Sequence, residues 1–394
     1  MSEYPVNIAS VDEDPIQSRP SEFVERRGIG HPDTICDGIA EAISRALSRR
    51  YREAVGHILH HNTDSVLLIA GDTTPRFGGG ELTELISVHL GGQATTRVNG
   101  TTIPVNDIAR GAASDYLESH FDRLPMDFVE ITADLNETSS DLRALFEREH
   151  VLANDTSVGV GYAPLSETER IVKTLEPRIW QEIDAAGKDV KIMASRTSDE
   201  LHVIVATAIL SSKVADIDEY LAVKEEIRRL VDSHVRSRTD RDVRIDVNAA
   251  DDPDEGDVCI SETGLSAESG DDGGVGRGNR INGLITPHRP MSIEATAGKN
   301  PVTHVGKLYN VVATRTADRI ATDLSADFAE VLLLSEIGTP VGQPRAVDVK
   351  TSTRATDAVE TIVREEVDRT EDATEQILGE DIGSFLEIIP DYSG

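Results

Sequence analysis

Apolar residues recur at helical spacing soon after residue 31. Ile35, Ile39, Ile43, Ala46 and Leu47 fall on one stripe, and Pro32 suits a first helical position, so a helix is predicted over 33–50. The run DSVLLIAGD at 64–72 is apolar and short enough for a buried strand. RFGGGELTELISVHL at 76–90 reads as a glycine turn feeding a second strand, and DFVEITADL at 127–135 alternates with period two as a third. Residues 1–20 are polar and punctuated by proline, which predicts an irregular arm.

A second module begins near Asn154. LHVIVATAIL at 201–210 is a strand, Ile217, Tyr220, Leu221, Ile227, Leu230 and Val231 mark a following helix, and VRIDVNA at 243–249 is another strand. The acidic AADDPDEGD at 249–257 reads as a boundary loop. Beyond it come a strand at 291–297, a helix around 305–322, a strand at 329–335 and an amphipathic helix at about 356–378. The expected fold class is α+β, in three sheet-plus-helix modules spanning 1–150, 151–255 and 256–394, without an internal repeat.

A chain of 394 residues exceeds one typical core, in keeping with several modules. Cys36 and Cys259, the only cysteines, exclude a disulfide framework and are expected to be small buried residues. No apolar run has membrane-spanning length and no leader pattern opens the chain, so a cytoplasmic protein is expected. The formal net charge is −32, and 8 of the 39 basic residues are lysine. Such a surface repels nucleic acid and anionic membrane, so neither is expected as a partner. The acids are dispersed through a well-patterned chain, which points to a halophile-like protein whose self-repulsion is screened by concentrated salt. An anionic ligand then needs local positive charge, and Arg277, Arg280, Arg289 and Lys299 lie close together in sequence.

Those cations belong to residues 269–301, SGDDGGVGRGNRINGLITPHRPMSIEATAGKNP. Glycines let a backbone approach a bulky anion, arginine and lysine neutralise phosphate, and Asp271 and Asp272 can hold a divalent cation against the same phosphates. The stretch reads as half of a polyphosphate site, or else as a glycine-rich surface loop with solvated charges. GIGHPDTICDGIAEAIS at 28–44 offers the other half. His31 and Asp33 sit at a helix N-terminus, where unpaired N–H groups favour anions; a capping histidine and a first-turn acid are the plainer reading.

Five segments then appear in one order: GHPD at 30–33, NDTSVGVGYAP at 154–164, KDVK at 188–191, SGDDGGVGRGNR at 269–280 and PHRPMSIEATAGKNP at 287–301. With them the chain resembles the S-adenosylmethionine synthetases, the archaeal branch more closely, from about Glu25 to the C-terminus. The resemblance implies attack of methionine sulfur on C5′ of ATP and hydrolysis of the released triphosphate to phosphate and pyrophosphate. Sulfur needs no general base, so alignment and stabilisation of the departing triphosphate dominate. By motif, His31 is implied at the leaving group, Asp33 and Asp271 or Asp272 at Mg²⁺, and Arg277 or Arg280 with Lys191 and Lys299 on the triphosphate. Asp155 is implied near adenosine and methionine, Asp189 pairs with Lys191 in an Asp-x-Lys motif, and Asp72 matches an acid near the methionine ammonium. A homodimer or dimer of dimers, with ATP and L-methionine as ligands, follows from the same resemblance.

Three departures separate the chain from the bacterial pattern. Thr34 stands where bacterial members have lysine. VTHVGKLY at 302–309 replaces a Lys-x-Asp-Arg segment, with Lys307 as the available substitute for its lysine and none for its methionine-binding acid. The acid that holds a monovalent cation falls near Asn62, which leaves a K⁺ requirement open. The rival readings are a magnesium-dependent nucleoside triphosphatase or phosphotransferase, which needs no methionine pocket, and a non-catalytic nucleotide-binding module.

Overall fold

The computed structural model describes residues 4–12, 16, 18–98, 100–138 and 151–379. The chain opens with β1 (Val6–Ser10), β2 (Ser21–Arg27) and helix α1 (Pro32–Val55). It continues through β3 (His61–Ile69), β4 (Asp72–Thr74), β5 (Glu81–Glu84), β6 (Ile86–Ala94), β7 (Arg97–Val98), β8 (Thr101–Thr102), α2 (Val105–His120) and β9 (Val129–Glu137). After 151 come β10 (Val158–Ala163), α3 (Glu167–Glu182), β11 (Ala186–Thr197), β12 (Glu200–Leu210), α4 (Ile217–Arg236) and β13 (Asp242–Val247). The last third holds β14 (Ile260–Ser261), β15 (Gly273–Gly274), α5 (Val305–Asp323), β16 (Ala329–Leu334), β17 (Ala346–Thr351), α6 (Thr356–Asp368) and α7 (Thr370–Gly379).

Three main sheets, each backed by helices, make an α+β fold. One has the order β15-β3-β6-β9; α1 and α2 cover it, and Ile35, Ile39 and Ile43 pack with Val66, Leu68, Val88 and Leu90. The second runs β13-β12-β11-β2 with β14 also on β12, and buries Leu175, Ile179, Ile227 and Val231 of α3 and α4. The third, β1-β17-β16-β10, carries α5 and α6. Its β10 is glycine-rich because α5 lies directly on it: a Cβ on Gly159 would sit 2.3 Å from the Tyr309 carbonyl carbon, and one on Gly161 2.2 Å from that of Ala313. Each sheet draws strands from more than one of the spans 1–150, 151–255 and 256–394; residues 139–150 and 380–394, at the ends of two of those spans, lie outside the described residues.

Several elements differ from expectation. The irregular arm holds β1, which pairs in parallel with β17 in the register Val6↔Val347. Residues 291–297 form no strand; Ile293 is 92% exposed, so their alternation does not mark a buried face. The helix expected over 356–378 divides into α6 and α7 at Arg369. Cys36 is buried as expected, whereas Cys259 is exposed. No described helix is long and apolar enough to cross a membrane.

Candidate active site

The pairing of β2 with β11 and the turn that follows bring His31 to Asp189. Lys191 opposes Arg27 in register, and beyond the ladder Gly28 N–H donates to Val190 O at 2.8 Å and Gly30 N–H to Lys188 O at 3.0 Å. Gly30 is required there, since a Cβ would meet Asp189 N at 2.6 Å. His31 caps α1, its Nδ1 accepting the Asp33 N–H at 3.2 Å, while Nε2 lies 3.8 Å from Asp271 Oδ2. Burial lowers the His31 pKa against the opposing pull of Asp189, and burial raises that of Asp189, whose carboxylate accepts the Ser266 N–H at 3.0 Å. A neutral imidazole with Nδ1 accepting carries its proton on Nε2.

Asp33 is buried and accepts the Gly274 N–H at 2.9 Å; Arg27 pairs with its other oxygen and Arg277 Nε stands 3.5 Å away. An unbroken chain of ion pairs runs from Lys191 to Glu25 (3.6 Å), to Arg27 (2.8 Å), to Asp33 and to Arg277. Arg280, half-buried, donates to Gly278 O at 2.7 Å and to Gly276 O. Of the adjacent acids, Asp272 accepts the Ala70 N–H at 2.8 Å, whereas the Asp271 side chain is 53% exposed and faces His31.

A second cluster surrounds Lys299. Its buried ammonium pairs with Glu294 and lies 3.6 Å from Asp64, and Ser157 Oγ donates to Glu294 at 2.8 Å. Asp155, exposed two residues earlier, accepts the Thr156 N–H and is joined to this cluster through that loop. A cleft is lined by Gly276 and Arg280 of the glycine-rich segment, by Glu294 of the second cluster, and by Tyr162, Asn310 and Thr314 from β10 and α5.

Two candidates do not line this cleft. Lys307 is wholly buried with Nζ 2.7 Å from Glu41, and Asp72 is exposed on the β4–β5 hairpin, 3.5 Å from Thr83 Oγ1. Arg289, expected to add charge for an anion, is instead 1% exposed and gripped by Glu169 through two bonds of 2.9 and 2.8 Å. Sequence reading also passed over Arg27, Glu294, Asp37 and Glu41. For the last two a signal existed: they continue the i, i+4 spacing from Asp33 along α1.

Among the described residues, no cluster of three or more His, Cys, Asp or Glu side chains is placed to cage a metal ion. Asp33 and Asp271 flank His31 and retain lone pairs beyond those their partners use. One or two carboxylates completed by substrate phosphates and water is the donor set that suits Mg²⁺.

The sequence profile described as S-adenosylmethionine synthetase (AdoMet synthetase) matches residues 5–381. The S-adenosylmethionine synthase of Haloquadratum walsbyi is 42% identical over 98% of this chain and all of its own length. That of Pyrococcus furiosus is 47% identical over 85% of this chain and 86% of its own. The solved structure of an unusual S-adenosylmethionine synthetase from Campylobacter jejuni shares the fold at a TM-score of 0.60 and 16% identity, covering 94% of this chain and 97% of that one. On this match along nearly its whole length, the chain belongs to the S-adenosylmethionine synthetase family.

Proposed function

We propose that the His31–Asp33–Asp271 cluster and the glycine-rich segment beside it hold the triphosphate of ATP while the protein makes S-adenosylmethionine. The chain is a methionine adenosyltransferase. In its reaction a sulfur lone pair of L-methionine forms the bond to C5′, and the C5′–O electron pair leaves with the triphosphate, which water then cleaves to phosphate and pyrophosphate. The observation that carries the site is the convergence on the α1 N-terminus of His31, Asp33, Asp189, Asp271 and Arg277 from three distant segments.

His31 presents Nε2–H as a neutral donor to the oxygen that gains charge as the C–O bond breaks. Arg277, Arg280, Lys191 and Lys299 neutralise the triphosphate oxygens, and Asp33 with Asp271 binds Mg²⁺, which supplies charge neutralisation when present. Asp155 and Asp72 serve the methionine and adenosine end. Lys307 acts by tying α5 to α1 through Glu41. We further propose a homodimer working in high salt, supported by exposed Phe23, Leu67, Ile69 and Ile204 on β2, β3 and β12 and by the net charge of −32.

The test is incubation with ATP and Mg²⁺, with and without methionine, and identification of products by mass. Adenosylmethionine, phosphate and pyrophosphate formed only with methionine are expected. Equal ATP cleavage without methionine overturns the reading in favour of a triphosphatase. Light scattering in concentrated salt should give twice the 42.7 kDa chain mass or a multiple of that; an active monomer refutes the dimer.

A further inference from the structure

Three carboxylates stand one turn apart on α1, at i, i+4 and i+8, and so share one face. Each accepts a backbone N–H from a glycine of the 273–298 segment: Asp33 from Gly274 at 2.9 Å, Asp37 from Gly276 at 2.8 Å and Glu41 from Gly298 at 3.1 Å. Asp37 and Glu41 are as buried as Asp33. The opposite face of the helix carries Ile35, Ile39 and Ile43 into a core, which fixes the helix itself.

The segment lies too close to α1 for side chains at its contact points. A Cβ on Gly273 would approach Pro32 O to 2.3 Å, and Gly298, at φ +77°, would place one 2.9 Å from the Ala40 Cβ of α1. Between and beside these contacts the segment carries Arg277, Arg280 and Lys299. Nothing in the charges of Asp37 and Glu41 suits a direct role toward an anion. Their acceptors suit the glycine N–H groups.

We infer that Asp37 and Glu41 are positioning residues, which hold the glycine-rich segment against α1 so that Arg280 and Lys299 face the triphosphate. This rests on the proposed triphosphate site. Asp37 sets the register at Gly276, the residue whose carbonyl also accepts from Arg280. Glu41 sets it at Gly298, immediately before Lys299, and receives Lys307 Nζ on the same oxygen.

The experiment compares Asp37→Ala and Asp37→Asn with the parent by calorimetric binding of magnesium tripolyphosphate, the KM for methionine and the melting temperature. Asparagine keeps an oxygen acceptor for Gly276; alanine does not. Leaving a buried N–H without its acceptor typically costs enough to weaken a dependent equilibrium about 10-fold. Asp37→Ala is therefore expected to bind tripolyphosphate about 10-fold more weakly with methionine KM within about 2-fold, and Asp37→Asn to stay within about 3-fold of the parent in both. A folded Asp37→Ala that binds tripolyphosphate like the parent overturns the inference, as does an Asp37→Asn as weak as alanine. Should Asp37→Ala not fold, Gly276→Ala tests the same register from the other side, since its Cβ would press within 2.8 Å of the Ala295 Cβ; parental binding there also overturns it. A parent that fails to bind tripolyphosphate defeats the site reading instead.

Discussion

Replacing Arg289 by methionine separates a structural cation from a catalytic one. The guanidinium and the Glu169 carboxylate are each 1% exposed, joined by two hydrogen bonds, and the cation also lies 4.5 Å above the Tyr162 ring. Methionine roughly conserves the packing volume and strands a buried carboxylate, a change that costs about 3–5 kcal/mol. Glu169 still accepts the Ser166 N–H as part of the α3 capping box, which favours the lower end. With an unfolding entropy of about 2.1 cal/mol/K per residue, a 394-residue chain unfolding as one unit has about 0.8 kcal/mol/K, so the melting temperature should fall by roughly 4–6 °C. Concentrated salt should not erase the effect, because the pair is out of reach of screening ions. Adding Glu169→Gln to the same chain should recover part of the loss. The assay is a thermal melt beside kcat/KM at a temperature where both proteins are folded. Turnover within about 3-fold is expected. A variant that melts like the parent but turns over 100-fold slower refutes the reasoning and returns Arg289 to the phosphate site.

His31→Ala should lower single-turnover adenosylmethionine formation by about 10²- to 10³-fold, with a loss of about 1 kcal/mol in stability from the missing cap; parental turnover refutes the leaving-group role. Asp33→Asn should raise the Mg²⁺ concentration needed for both transfer and tripolyphosphate hydrolysis, and an unchanged magnesium titration leaves the residue only its place at the helix start. Burial pushes His60 down to about 4 and His61 to about 3. Unfolded imidazoles take a proton near 6.5, so the stability present above that pH is lost as it falls toward 3–4, and melts from pH 7.5 to 4.5 should show His61→Gln losing less than the parent.

Elements built on strong local periodicity were legible. The expected helix over 33–50 is α1 at Pro32–Val55, and the apolar run at 201–210 is β12 at Glu200–Leu210. What stayed hidden depends on distant partners. Val6–Ser10 is a strand only because β17 offers it an edge, and nothing in VNIAS announces that edge. Arg289 looked like a phosphate ligand because sequence shows charge and not burial; its partner Glu169 is 120 residues away. The capping box of α3, Ser166 with Glu169, was readable and would have flagged the missed helix. Motif resemblance brought His31, Asp189 and Asp271 onto one page, but their closeness in space comes from the β2–β11 pairing and from the glycine segment laid along α1.

The parallel pairing of β1 with β17 also constrains when β1 can pair during synthesis. Val6 is made long before its partner Val347, so β1 cannot take its place in the sheet until β17 has been synthesised. Its five residues are short and only partly covered even in the finished sheet, which limits the hydrophobic surface offered to other nascent chains meanwhile. The sheet under α5 therefore gains this edge only once Ala346–Thr351 is made, and β1 then fastens Val6–Ser10 to the last third of the described residues like a clasp.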